Sequence, residues 1–209
     1  MAAPGDARVC ILDYGSGNVQ SVSNLLSTIA SEVRVSNDPE AIRAASHLIL
    51  PGVGAFGASI ARIHATIPLD VVEDVVQRQR RPFLGICVGF QVLADTGFEF
   101  GEHRGLGWLG GDVRKLESGD LPLPHVGWNN IQVRHASPLL SGVRPDEDFY
   151  FVHSFVMTPA RPEDVVATTE YGEAFVCVAS RDNVHGVQFH PEKSQRAGRR
   201  LIENFLAMA

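Results

Sequence analysis

Cys87 sits in the run Gly85-Ile86-Cys87-Val88-Gly89-Phe90-Gln91, entered through Arg81-Pro82-Phe83-Leu84, which reads as a buried strand. A potential nucleophile with glycines two residues before and after it has the layout of a strand-turn-helix elbow. The small residues let the chain fold tightly and one side chain stands above the sheet. If Val88 opens a helix, the thiol meets unpaired amides and the positive end of a helix dipole, which favour thiolate. The Val88 N–H is then placed to donate to an oxyanion. A buried structural cysteine is the competing reading, because unpaired cysteine is among the most buried residue types. A base elsewhere in the chain decides between the two.

Such a base is present near the C-terminus, in Val187-Gln188-Phe189-His190-Pro191-Glu192-Lys193-Ser194. In an extended segment residues i and i+2 share a face, so Glu192 is expected to hold one imidazole nitrogen of His190 while the other faces a nucleophile. A nucleophile, a base and a group that orients the base form the general triad arrangement. Two glycine-rich loops follow early strands: Asp13-Tyr14-Gly15-Ser16-Gly17-Asn18 and Pro51-Gly52-Val53-Gly54-Ala55-Phe56-Gly57. The first lacks the lysine of a P-loop and the third glycine of a dinucleotide fingerprint. The second is expected to bring a backbone N–H toward the substrate opposite Val88. Glycines on both sides of Val53 lower the barrier to rotating its peptide plane.

The elements that must position these groups follow from apolar periodicity. Strands are expected over 9–12, 33–35, 48–50 and 81–84, and helices over 19–30, 39–45 and 58–80, the last interrupted near Pro68. Strand and helix alternate, the pattern of a parallel sheet with covering helices. Beyond Gly97 the segments 108–116, 126–133, 149–154, 165–169, 175–180 and 184–189 read as strands, suggesting hairpins added to the same sheet, with a closing helix over 194–208. The fold expected is α/β: one domain over 1–209, a flavodoxin-like open sheet, mostly parallel with added antiparallel strands and helices on both faces. Residues 1–7 are expected to be flexible.

With 209 residues, 44% of them hydrophobic and 20% charged, the chain is long enough to bury a substantial core. A net charge of −6 without a basic stripe gives no nucleic-acid footprint. No apolar run approaches a membrane span and the start lacks the apolar core of a signal peptide, so a cytoplasmic protein is expected. Three cysteines, Cys10, Cys87 and Cys177, suit a reducing compartment, and no two are spaced as a metal clip. Cys10 and Cys177 lie in apolar strand-like runs and are expected in the core. The remaining histidines are scattered without ligand spacing, so no metal and no cofactor is expected.

The elbow and the terminal His-Pro-Glu together resemble the class I, triad-type glutamine amidotransferases. The two glycine-rich loops narrow the resemblance, with His125-Val126-Gly127-Trp128-Asn129, Tyr150-Phe151-Val152-His153-Ser154-Phe155 and Phe189-His190-Pro191-Glu192-Lys193-Ser194. Together, from residue 9 to the final helix, they resemble the glutaminase subunits of imidazole glycerol phosphate synthase in histidine biosynthesis. Phe90 departs from the methionine frequent there, and both are large and apolar. The resemblance implies that glutamine is hydrolysed to glutamate and that the ammonia passes to a partner cyclase, a (β/α)8 barrel bound as a heterodimer. It implies Cys87 as nucleophile, His190 as acid and base, and Glu192 as its orienting group. The amides of Val88 and of the Val53–Gly54 loop would hold the oxyanion. Substrate contacts would come from Gly52 and Gln91, from Glu99 toward the α-ammonium, and from the Ser154 and Phe155 backbone toward the carboxylate. Asn18, Trp128 and Lys193 would face the barrel around the ammonia exit.

Three other readings stay open. Another amidotransferase would share the triad but not Asp13-Tyr14-Gly15 and Pro51-Gly52-Val53-Gly54. A cysteine peptidase would cleave peptides without a partner, and a non-catalytic binding subunit would normally have lost one triad member.

Overall fold

The computed structural model describes residues 6–144 and 147–209. Its strands are β1 (Arg8–Ile11), β2 (Glu32–Val35), β3 (His47–Gly52), β4 (Phe83–Cys87), β5 (Thr96–Gly97), β6 (His103–Arg104) and β7 (Asp112–Lys115), then β8 (His125–Asn130), β9 (Gln132–Val133), β10 (Asp148–His153), β11 (Phe155–Thr158), β12 (Val165–Tyr171), β13 (Glu173–Arg181) and β14 (Val184–Val187). The helices are α1 (Val19–Leu26), α2 (Pro39–Ala44), α3 (Phe56–Thr66), α4 (Leu69–Glu73), α5 (Val88–Gln91) and α6 (Gln195–Leu206). The flexible start expected over 1–7 lies outside the described residues as far as residue 5. Ala7 is buried, and its carbonyl accepts from the amides of Ser31 and Glu32.

A strand covered on both faces needs an unbroken apolar run, and β3, β4 and β14 are buried at every position. They form the middle of an eight-stranded sheet in the order β2-β1-β3-β4-β14-β13-β12-β9. The first five run parallel in the 2-1-3-4-5 order of doubly wound flavodoxin-like sheets, and the last three are added antiparallel. Helix α6 reaches the turn after α1 through Arg199, which donates to Thr28, while α2 packs on α4. No helix among the described residues is long and apolar enough to cross a membrane.

Several expected elements take a different form. The helix over 19–30 closes at Leu26, because Ser27 and Thr28 return their hydroxyls to the carbonyls of Ser23 and Leu25 and the next amides bond three residues back. The late strands do not all join the main sheet. β8 pairs only with β10, and β11-β7-β5-β6 form a separate sheet. The segment over 126–133 splits at buried Ile131 into β8 and β9, which belong to different sheets. Alternation along a strand reports which side is buried, not which sheet it joins.

Helix α5 is one turn long and lies almost in contact with the sheet. A Cβ on Gly89 would stand 1.8 Å from the Leu50 carbonyl oxygen, one on Gly85 2.4 Å from that of Gly89, and one on Gly186 2.0 Å from the Phe90 ring. These glycines are there for closeness. The large Phe90 side chain fits because residue 186 has none.

Three buried histidines away from the triad find hydrogen-bond partners. His125 and His153 hydrogen-bond to each other at 3.1 Å, His153 also reaches the Phe155 carbonyl at 3.0 Å, and His185 pairs with the Ser180 hydroxyl at 2.9 Å. Cys10 and Cys177 are buried as expected, and burial pushes the Cys10 thiol up to about 11 and that of Cys177 higher still.

Two predictions follow from this packing. Gly89→Ala has backbone in the way and is expected to lower stability by about 3 kcal/mol or more. Gly54→Ala, whose Cβ meets nothing within 4 Å but must adopt φ +102°, should cost only about 1 kcal/mol. Equal losses in urea unfolding would show that closeness is not what Gly89 serves. The second prediction concerns acid. Burial holds His125 and His185 down to about 4 and His153 down to about 3, against 6.5 for an open chain. Such groups bind protons more readily in the unfolded chain, so their contribution is complete above about 6.5 and is lost as pH falls toward 4. His185→Gln is expected to remove about 2 kcal/mol of the stability lost between pH 7 and pH 5. An unchanged difference between the unfolding free energies at those two pH values would overturn this.

Candidate active site

Cys87 ends β4 and immediately precedes α5, with φ 55° and ψ −112°. A non-glycine residue at positive φ costs on the order of 1–3 kcal/mol, so the surroundings must hold it there. They do: Gly52 on β3 is in register beside Cys87, and a Cβ on Gly52 would stand 2.4 Å from the Tyr14 hydroxyl and 2.7 Å from the Gly89 nitrogen. Strand ends, elbow and first loop therefore converge at the carboxyl edge of the parallel strands, where open α/β sheets bind ligands. Val88 N–H is the first amide of α5 and has no intrahelical acceptor. Only one turn follows it, so the local amides rather than a long helix dipole act on the sulfur.

His190 and Glu192 meet as the spacing suggested, by a different geometry. Pro191–Lys193 forms a 3-10 turn rather than an extended segment, and the turn swings Glu192 back so that His190 Nδ1 and Glu192 Oε1 are 2.8 Å apart. Both side chains are almost wholly buried, 2% and 1% exposed. Burial alone would lower His190. The nearness of Cys87 and the hydrogen bond and charge of Glu192 outweigh it and raise the imidazole to about 10. Burial would likewise raise Glu192, but the hydrogen bond and charge of His190 and the amide of Asn18 hold it below the ordinary carboxylate range. His190 Nε2 is buried with no hydrogen-bond partner. A base held beside a thiol is the arrangement that lets the thiol become a thiolate nucleophile.

The remaining expected residues fall at varied distances from this centre. Val53 lies just past β3, 41% exposed, followed by Gly54 at φ +102°. Gln91 is buried, and its Nε2 donates to the Phe155 carbonyl at 2.9 Å and to Gln188 Oε1 at 3.1 Å. Glu99 Oε2 accepts from the Phe56 amide at 2.8 Å, capping the first turn of α3. The Ser154 carbonyl accepts from Leu116 N–H. Asn18 turns its side chain inward, donating to Glu192 Oε1 at 3.0 Å. Trp128 is 48% exposed. It packs edge-on against Tyr150, and Lys193 Nζ lies 5.4 Å from the centre of the same ring.

Three residues were not singled out by the sequence. Tyr14 has a buried hydroxyl without a hydrogen-bond partner, and burial first, with the charge of Cys87, pushes it up to about 12. Tyr150 is the ring on which Trp128 and Lys193 meet, and Gln188 donates to Cys87 Sγ at 3.8 Å. All three stood inside the quoted motifs, but contact across elements does not register as spacing. No cluster of three or more metal-binding side chains occurs among the described residues.

The family model described as glutamine amidotransferase class-I matches residues 10–209. A protein of Rhodospirillum rubrum named imidazole glycerol phosphate synthase subunit HisH is 43% identical, covering 97% of this chain and 99% of its own. One of the same name from Salinibacter ruber is 46% identical, covering 95% and 93%. Among solved structures, PurLQS from Thermotoga maritima superposes with a TM-score of 0.74 at 18% identity over 96% of this chain and 98% of that one, a likeness of fold. A family model spanning nearly the whole chain, with relatives above 40% identical, means that this protein belongs to the class I glutamine amidotransferases.

Proposed function

We propose that this chain is the glutaminase subunit of imidazole glycerol phosphate synthase, hydrolysing glutamine at Cys87 and delivering the ammonia to a partner cyclase in histidine biosynthesis. The observation that carries the chemistry is the buried His190–Glu192 pair next to a cysteine held at positive φ. The names of relatives aligned over nearly the full chain support the pathway.

Cys87 Sγ attacks the side-chain amide carbon as its proton passes to His190, and the carbonyl oxygen becomes an oxyanion facing the amides of Val88 and the Val53–Gly54 loop. His190 returns the proton to the nitrogen, the C–N bond breaks, and ammonia leaves a thioester. Water then gives a proton to His190 and attacks the thioester, releasing glutamate and restoring the thiol. Glu192 keeps the imidazole in one orientation and balances its charge, and Asn18 holds Glu192. Gln91, Gly52, Glu99 and the Ser154–Phe155 backbone bind glutamine. Trp128 and Lys193, gathered on Tyr150, face the partner, a (β/α)8 barrel, and exposed Val126 extends their strand face. The protein works in the cytoplasm as one domain, without a metal or cofactor.

Cys87→Ala is expected to lower glutamine-dependent synthesis by the complex roughly a thousandfold or more while ammonia-dependent synthesis stays intact, since the nucleophile serves only to make ammonia. Equal loss of both activities would count against this division. A peptidase would instead lose a proteolytic activity that needs no partner.

Activity of the isolated chain is expected to be low and to rise when the cyclase binds with its acceptor substrate. One oxyanion hydrogen bond is worth about 100-fold to 1000-fold in turnover, so rotation of the exposed Val53 peptide is a sufficient switch. Glutamate release by the chain alone, compared with the complex plus cyclase ligand, measures it. Equal rates would rule out partner gating.

A further inference from the structure

Behind the nucleophile lies a row of buried amides that the triad does not use. Gln188 is fully buried between β14 and His190, and its Nε2 donates to Cys87 Sγ at 3.8 Å. Its Oε1 accepts from Gln91 Nε2 at 3.1 Å, and that same nitrogen donates to the backbone carbonyl of Phe155 at 2.9 Å. The two ends of a glutamine amide are nearly alike in shape, but a backbone carbonyl only accepts. Phe155 therefore draws the Gln91 nitrogen toward itself. That nitrogen draws the Gln188 oxygen, and the Gln188 N–H is left facing sulfur. Reversing either amide would bury two donors or two acceptors against each other.

We propose that Gln188 is a positioning residue for Cys87, aiming the sulfur through a hydrogen bond whose direction is set, by way of Gln91, by the Phe155 carbonyl. This rests on the reading of Cys87 as the nucleophile. In the resting thiol, Sγ also donates to the Val152 carbonyl at 3.9 Å. Once the proton has moved to His190, sulfur has nothing to give that carbonyl, and the Gln188 N–H complements negative sulfur together with His190. Phe155 belongs to the segment read as holding the substrate carboxylate. Seating the substrate and aiming the sulfur thus share one row of hydrogen bonds.

The test compares Gln188→Met, which keeps bulk without a donor, with Gln188→Glu, which keeps shape but turns an acceptor toward sulfur. In the complex, kcat for glutamine-dependent synthesis is expected to fall about 10-fold to 100-fold for Met and further for Glu. The fall in kcat should exceed any rise in the KM for glutamine, and the ammonia-dependent rate should stay put. Alkylation of Cys87 by iodoacetamide in the purified chain should slow in the same order. A wild-type kcat in both variants, a larger loss for Met than for Glu, or a parallel loss of ammonia-dependent synthesis would overturn the proposal. Should neither variant fold, Gln91→Met takes their place: it frees the Gln188 amide without touching sulfur and should slow alkylation at least about tenfold, and an unchanged rate would overturn the proposal equally. Full activity in Cys87→Ala would instead show that the nucleophile is misread, an outcome separate from failure of the clamp alone.

Discussion

The site depends on one constraint, the closeness with which the turn after β4 lies on the sheet. Cys87 occupies a strained conformation, and strain persists only where neighbours leave no alternative. Here the neighbours are backbone and one ring: the Leu50 carbonyl under Gly89, Gly89 over Gly85, and the Phe90 side chain over Gly186. Because each contact forbids a side chain, the elbow cannot relax sideways, and the sulfur is delivered to the edge of the parallel strands beside Gly52. Moving the turn outward by a methyl group would displace the nucleophile, the Val88 amide and Gln91 together.

The second requirement is charge in a place that resists it. His190 and Glu192 are both buried, where each ion alone would be costly and a paired set is tolerated only when its hydrogen bonds are made. One carboxylate oxygen has two donors, His190 and Asn18, while the other has none. The orphaned Oε2 and the orphaned imidazole Nε2 mark a site left polar for a reaction rather than perfected for stability. Asn18 shows how the parts are shared. It opens α1 without capping it, so its amide is available to the triad from an element far away in the chain.

Much of this was legible in the residues. The alternation of apolar runs predicts the parallel half of the sheet, since covered strands and amphipathic helices differ in period. The glycine pattern around Cys87 and the His190–Glu192 spacing pick out residues that the fold brings together. What the residues do not carry is partnership between late strands: β8 and β10 form their own sheet, and β9, two residues past β8, joins another. Nor do they carry contacts such as Asn18 on Glu192, Glu99 on the α3 amide, or Gln188 on sulfur, which exist only once distant elements meet. Even the extended geometry expected for His-Pro-Glu proved to be a 3-10 turn, because proline at the first position of a turn suits its fixed φ as well as it suits a strand.

The two glycines around Val53 look equivalent in the sequence and are not equivalent in the fold. Gly52 is wedged between the Tyr14 hydroxyl and the Gly89 nitrogen, so its freedom to rotate is removed by the same closeness that holds Cys87. Gly54 stands in open space at a positive φ that any larger residue would resist. Rotation of the Val53 peptide must therefore be absorbed on the Gly54 side, toward solvent. On the proposed reading, an enzyme that must not release ammonia prematurely would use this asymmetry: a nucleophile that cannot move, and an oxyanion donor that can. A loop free at both ends would carry the Gly52 strain into the elbow, and gating would then come at the expense of the nucleophile's aim.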